Sequence, residues 1–160
     1  MSREGLALVQ EGWVELPPGY GYADQDGITV PELNDLNVAV EGPPATPLHK
    51  PDWTEKSWER CFNVGVRTAD DQLVGYGRLA ISIGTSGELS HLMVHPEHQR
   101  RGLGTAILAE RMRIGEALGV KSFHTRLAQA NAISNKYYEL GFQDRGNKSM
   151  TRPYVPSLSV

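Results

Sequence analysis

The chain has 160 residues, 39% of them hydrophobic and 22% charged, the size and make-up of one globular domain with a real core. Its 16 basic and 19 acidic residues give a net charge of -3, which leaves no basic excess for nucleic acid or an anionic membrane. A single cysteine, Cys61, excludes an internal disulfide, and no apolar run reaches membrane-spanning length, so a soluble cytoplasmic protein is expected.

One domain is expected over residues 1–160, with 1–18 as an N-terminal extension and 153–160 as a tail. Leu6-Ala7-Leu8-Val9 and Trp13-Val14-Glu15-Leu16 read as short strands before the Pro17-Pro18-Gly19 break. Tyr20-Gly21-Tyr22-Ala23 reads as the first strand of the main sheet, and Asp24 to Gly27 as a turn. Thr29-Val30-Pro31-Glu32 is a capping-box pattern opening a helix with Leu33, Leu36 and Val40 on one face. Pro43-Pro44 ends it, and Pro43 to Pro51 is a stiff loop. Asp52-Trp53-Thr54-Glu55 repeats the capping pattern and opens a short helix carrying Trp53 and Trp58.

Phe62, Val64 and Val66 alternate with Asn63 and Gly65, the pattern of a half-buried strand. Ala69 to Gln72 is a hairpin turn, Leu73 to Ile83 the next strand, and Glu88 to Val94 the central one. These three should be successive antiparallel strands. Pro96 ends the third. Leu103, Ile107, Ile114 and Leu118 mark a helix that Gly119 stops. Val120 to Leu127 then follows a helix and should run parallel to the central strand. A helix from about Gln129 to Leu140 and a hairpin around Gly146-Asn147 complete a mixed α+β order.

The most informative stretch is Gln99-Arg100-Arg101-Gly102-Leu103-Gly104, lying between the central strand and a helix. Backbone N–H groups at a helix N-terminus, with glycines that let a ligand approach, make a seat for phosphate. No Gly-Lys-Ser/Thr follows, so this is not a Walker loop, and the Rossmann spacing is absent.

Leu92-Met93-Val94-His95-Pro96 followed by Gln99-x-x-Gly102-x-Gly104 resembles the acetyl-CoA-binding motif of the GNAT superfamily of N-acetyltransferases. Asn131 to Phe142, with its tyrosines and Gly141-Phe142, is similar to that family's second motif. Leu73-Val74-Gly75-Tyr76-Gly77-Arg78-Leu79 is similar to its third strand. The resemblance covers roughly Cys61 to Arg152. It implies a twisted mixed sheet of about six to seven strands flanked by about four helices. It also implies acetyl-CoA as cosubstrate, no metal, and a primary amine as acceptor. Backbone of Leu92, Met93 and Val94 would pair with the pantetheine arm like an added strand. Amides from Gln99 through Arg100, Arg101, Gly102, Leu103, Gly104 and Thr105 would hold the pyrophosphate, and Asn131 would contact the pantetheine arm. Arg100 and Arg101 either add charge there or belong to a solvated turn.

Acetyl transfer to an amine needs a base, a stabilised oxyanion and an acid for the leaving thiolate. The resemblance points to Glu88 as base. By strand alternation Glu88, Ser90 and Leu92 share a face, and His91, the second candidate, points the other way unless a bulge intervenes. The oxyanion donor is expected to be a backbone N–H near Met93 or Val94. The acid would be a tyrosine before Gly141-Phe142: counting back from Gly141 gives Tyr137, and counting forward from Asn131 gives Tyr138, so both stand. His95 and His98 read as loop residues, and Cys61 as a buried apolar residue. The family resemblance places much of the acceptor site in Leu33 to Trp58. Glu32, Asp35 and Glu41 either attract an ammonium group there or face solvent. A small-molecule amine is the first expected acceptor, a protein or peptide amine the second, and a CoA-binding sensor without turnover the third. A homodimer is an open expectation.

Overall fold

The structure, a computed structural model, describes residues 14–24, 27–42, 60–81, 86–126, 142–144 and 149–152. Its elements are β1 (Tyr20–Tyr22), α1 (Val30–Glu41), β2 (Arg60–Thr68), β3 (Leu73–Ile81), β4 (Ser86–Val94), α2 (Leu103–Ala117), β5 (Ser122–Arg126), β6 (Gln143–Asp144) and β7 (Ser149–Arg152). A single 3-10 turn, Pro96–His98, separates β4 from α2. The seven strands form one sheet in the order β1-β2-β3-β4-β5-β7-β6. β1 to β4 pair antiparallel in succession, and β5 joins β4 in parallel, as the intervening helix requires. β7 then inserts antiparallel between β5 and β6. The helices expected around Trp53 and from Gln129 to Leu140 lie outside the described residues.

Each face of the sheet carries a helix. α2 packs on β2, β3 and β4, burying Leu103, Ile107, Leu108, Met112 and Ile114 against Phe62, Val64, Val66, Leu79 and Leu89. α1 packs on β3 and β4, with Leu33 and Leu36 against Tyr76 and Met93. On β2 the face away from α2 is closed over Gly65 by Ile28, Ala23 and Leu73, so the strand is buried throughout from Phe62 to Val66, whereas its alternation suggested a half-buried strand.

The capping box that opens α1 is present: the Glu32 amide donates to Thr29 Oγ1 at 3.3 Å, and the Thr29 amide donates to Glu32 Oε2 at 2.9 Å. Arg67 on β2 adds an ion pair to Glu32 at 2.5 Å. Glu32 therefore belongs to the frame that anchors α1 to the sheet. The Arg67 guanidinium holds its carboxyl down at about 2, although partial burial opposes the shift. Because the folded value lies below the ordinary one, the stabilisation is complete above about pH 4.5 and is lost as pH falls toward 2. Glu32→Gln should cost about 1 to 2 kcal/mol at neutral pH and progressively less as pH falls from about 4.5 toward 2, read from urea unfolding across that range.

The segment before β1 departs from expectation. Val14 to Leu16 is not a strand. The Val14 amide donates to Glu110 Oε2 at 2.9 Å, and the Val14 carbonyl accepts from the Tyr22 hydroxyl at 2.7 Å. Glu110 also pairs with Arg113, so a buried carboxylate on α2 is satisfied while holding the incoming chain. Burial, and then the Glu110 charge, push the Tyr22 phenol well above its ordinary value.

Candidate active site

The site forms where β4 and β5 part. Their pairing runs from Ser86↔Ser122 to Leu89↔Thr125, and among the described residues no β4–β5 pair follows. Thr125 Oγ1 donates to the Leu89 carbonyl at 2.8 Å at that point. Beyond it, the edge of β4 away from β3 has no strand partner among the described residues, and an extended chain can add to such an edge as a strand does.

β4 also carries a bulge. Arg78 pairs with Ser90 and Tyr76 with Met93, so Gly77 alone stands opposite His91 and Leu92. His91 takes up the extra residue with φ of 55°, a left-handed conformation uncommon outside glycine and adopted more readily by asparagine, aspartate and histidine than by other residues. The bulge reverses the alternation. Leu89 belongs to the α2-side core, and after the bulge Leu92 and Val94 pack against that same core, while Met93 turns to the α1 side. The expectation that Leu92 shares a face with Glu88 and Ser90 is thus corrected by one inserted residue.

Glu88 is exposed near the gap, its Oε2 3.5 Å from His124 Nε2 on β5, and His124 Nδ1 lies 3.3 Å from Ser86 Oγ. His91 is exposed too, with Nδ1 3.0 Å from Ser90 Oγ. Loss of hydration, followed by the Arg78 charge, lowers the His91 imidazolium below its ordinary value, with Glu88 opposing. His91 is therefore neutral at neutral pH and able to accept a proton. Arg78 lies beside these groups, its Nε donating to the Tyr76 hydroxyl at 3.3 Å, and that hydroxyl donates to buried Asn63. This β2–β3 chain escaped the sequence reading because nothing in an alternating strand marks which polar residue turns inward. Cys61 is half-buried, not buried as expected.

The turn after β4 is pinned on several sides. The His95 amide donates to the Val74 carbonyl at 2.8 Å, and Gln99 Nε2 donates to the Val94 carbonyl at 3.0 Å. Arg100 and Gly102 both have positive φ, at 62° and 85°. Gly102 is the N-cap of α2 and supplies no side-chain cap. Its carbonyl accepts the Ala106 amide at 3.0 Å. The amides of Leu103, Gly104 and Thr105 belong to the first turn, where no intrahelical acceptor exists. A Cβ on Gly102 would meet nothing within 4 Å among the described residues, so the chain is open at the N-cap position. Donors, dipole and open space together fit a pyrophosphate.

Arg100 and Arg101 are both exposed, but Arg101 is engaged: its Nη1 donates to the Tyr20 hydroxyl at 3.1 Å, and that hydroxyl lies 2.8 Å from His98 Nδ1. β1 thus braces the turn, a contact between residues 81 positions apart that no local pattern reveals. Tyr20→Phe should raise KM for acetyl-CoA about two- to fivefold with little change in kcat, since it loosens the seat without touching the reacting atoms. Asn131, Tyr137 and Tyr138 lie outside the described residues.

Residues 32–142 match the Acetyltransferase (GNAT) family. The [Ribosomal protein bS18]-alanine N-acetyltransferase of Salmonella typhimurium is 30% identical over 111 residues, covering 66% of this chain and 72% of that protein. Its Escherichia coli K12 counterpart is 31% identical over the same extent. Among solved structures, the Escherichia coli ribosomal-protein-S18-alanine N-acetyltransferase superposes with a TM-score of 0.65 at 16% identity, covering 88% of this chain and 98% of that one. The PaiA N-acetyltransferase of Thermoplasma acidophilum, solved with coenzyme A, gives 0.50 at 25% identity over 59% and 61%. The split sheet and the glycine turn at α2 define a GNAT fold, and this chain belongs to the GNAT acetyltransferase family. It is an acyltransferase.

Proposed function

We propose that this chain moves the acetyl group of acetyl-CoA to the primary amine of a small-molecule acceptor, by direct attack within a ternary complex. The observation that carries this is the juxtaposition of three features: the open edge of β4, the amide-rich turn from Gln99 to Thr105, and the proton acceptors Glu88 and His91 beside the gap. When bound, acetyl-CoA supplies the activated acetyl thioester. Leu92, Met93 and Val94 pair with its pantetheine arm, Asn131 contacts that arm, and the turn holds its pyrophosphate. The backbone N–H of Met93 or Val94 stabilises negative charge developing on the carbonyl oxygen.

Glu88 takes the proton that the ammonium group must lose. The amine nitrogen then forms the C–N bond as the C–S bond breaks, and the second proton it sheds on becoming an amide replaces the one the tyrosine gives to sulfur. Tyr138 gives its hydroxyl proton to the departing sulfur, Tyr137 being the alternative from the family spacing. Tyr138→Phe should lower kcat about a hundredfold and Tyr137→Phe less than threefold. Equal activity in both variants removes the tyrosine acid.

A second reading, transfer to a protein or peptide N-terminal amine, is favoured by the relatives named for acetylating a ribosomal-protein alanine. Both are tested by release of CoA thiol from acetyl-CoA in the presence of polyamines, amino acids and aminoglycosides, or of peptides with a free N-terminal alanine. Turnover with a small amine at a kcat/KM at least about tenfold above any peptide supports the first reading. The reverse order supports the second. Tight CoA binding with no release in any arm indicates a sensor.

A further inference from the structure

Arg111 lies in the middle of α2, fully buried at 0% exposure, among Ile107, Leu108, Met112 and Ile114. A guanidinium is costly to bury, so its hydrogen bonds say what keeps it there. Nη1 donates to the Arg78 carbonyl at 3.0 Å and to the Ser90 carbonyl at 3.2 Å, and Nε approaches the Ile107 carbonyl at 3.4 Å. Arg78 and Ser90 form the cross-strand pair at which the β3–β4 register breaks. One nitrogen of α2 therefore grips both strands at the edge of the bulge. Room for it comes from Gly77, the residue opposite the bulge. A Cβ there would lie 2.6 Å from Ile107 Cγ2, 2.8 Å from Arg111 Nε and 3.0 Å from its Cζ.

We propose that Arg111 is a positioning residue for acetyl transfer. It holds the β4 bulge in register, and so sets the direction of the Leu92–Val94 edge and the place of His91 beyond it. The proposal rests on the reading that this edge carries the acetyl group. Arg111 does not act on substrate, because it approaches the sheet from the α2 side while Glu88 and Ser90 share the other face. Without it, the bulge can slide or flatten, since a strand with an extra residue has more than one way to pair. The turn that would seat the pyrophosphate begins α2 about two helical turns away and is braced by the Arg101–Tyr20–His98 contacts and the His95–Val74 bond, so it should be largely unaffected.

The test uses Arg111→Met, which keeps length and apolar bulk, and Arg111→Lys, which keeps the charge. CoA affinity by calorimetry, kcat with acetyl-CoA and the best amine, thermal midpoint, and amide exchange from Ser90 to Val94 are measured on the full chain. In Arg111→Met, kcat should fall about ten- to a hundredfold and CoA affinity less, about two- to fivefold, because the displaced edge pairs with the pantetheine arm while the pyrophosphate seat is kept; Arg111→Lys should recover part of the rate. Amide protection should drop at the bulge and hold elsewhere in the sheet. A folded Arg111→Met with kcat within about twofold of wild type overturns the proposal, as does a rate loss that merely tracks the thermal midpoint. If the unaltered chain acetylates no amine, the functional reading fails by itself. Amide exchange then decides alone, and unchanged protection at Ser90 to Val94 overturns the role of Arg111. Should Arg111→Met not fold, Arg111→Lys carries the same measurements.

Discussion

Gly102→Val is expected to raise KM for acetyl-CoA about a hundredfold or more, roughly 3 kcal/mol of lost binding, with the fold retained. Two effects combine at this position. The backbone holds φ of 85°, which a β-branched residue adopts only at a cost of about 1 to 2 kcal/mol. A Cβ added there has nothing within 4 Å among the described residues, so the packing of α2 on the sheet should be kept. On the proposed reading, the methyl groups stand at the N-cap beside the first-turn amides, where phosphate oxygens would come within hydrogen-bond distance. Thermal unfolding should shift by only a few degrees, while calorimetric titration with CoA loses its signal. An unchanged KM in a folded Gly102→Val protein contradicts the placement of the pyrophosphate at this turn.

Glu88→Gln is expected to lower kcat about a hundredfold with KM for acetyl-CoA unchanged, the size of effect that a positioned base provides. Glutamine preserves the shape at the strand position and removes only the ability to take a proton. His91→Gln should cost less than about tenfold, because its ring meets the site from the bulge rather than from the regular strand. pH–rate profiles separate the two groups. The His91 imidazolium lies below its ordinary value because hydration is lost and Arg78 is close, so His91 is a competent acceptor only above that lowered value. If His91 were the base, the fall in kcat/KM on the acid side would vanish in His91→Gln, and that variant would show the larger loss. That outcome would remove Glu88 from the base role.

Much of the frame can be read along the chain because local chemistry decides it. The Thr29–Glu32 capping box, the Asp70-Asp71 turn, the Gly119 stop and the parallel return into β5 each follow from a few adjacent residues. β4 is where local reading stops. A bulge is one residue too many relative to a partner strand, and β4 alone does not show that Gly77 faces two residues at once. Period-two counting therefore put Leu92 beside Glu88, while the bulge returns it to the α2-side core. Arg111 escaped for a related reason. Within an amphipathic helix a charged residue is read as solvent-facing, and only the missing side chain at Gly77, on another strand, makes room for it. The Tyr20–His98–Arg101 brace and the Asn63–Tyr76–Arg78 chain are likewise tertiary pairings. The glycine turn that opens α2 is legible because it is written in a contiguous run of residues.

Direct transfer in a ternary complex is tested most directly by initial rates of CoA thiol release, with the best amine varied at several fixed concentrations of acetyl-CoA. Amine-dependent release with intersecting double-reciprocal lines, unaltered in Cys61→Ala, is the expected result. Parallel lines, or thiol release that proceeds at the same rate without amine, would contradict it, since either places the acetyl group on the protein or on water before the acceptor arrives.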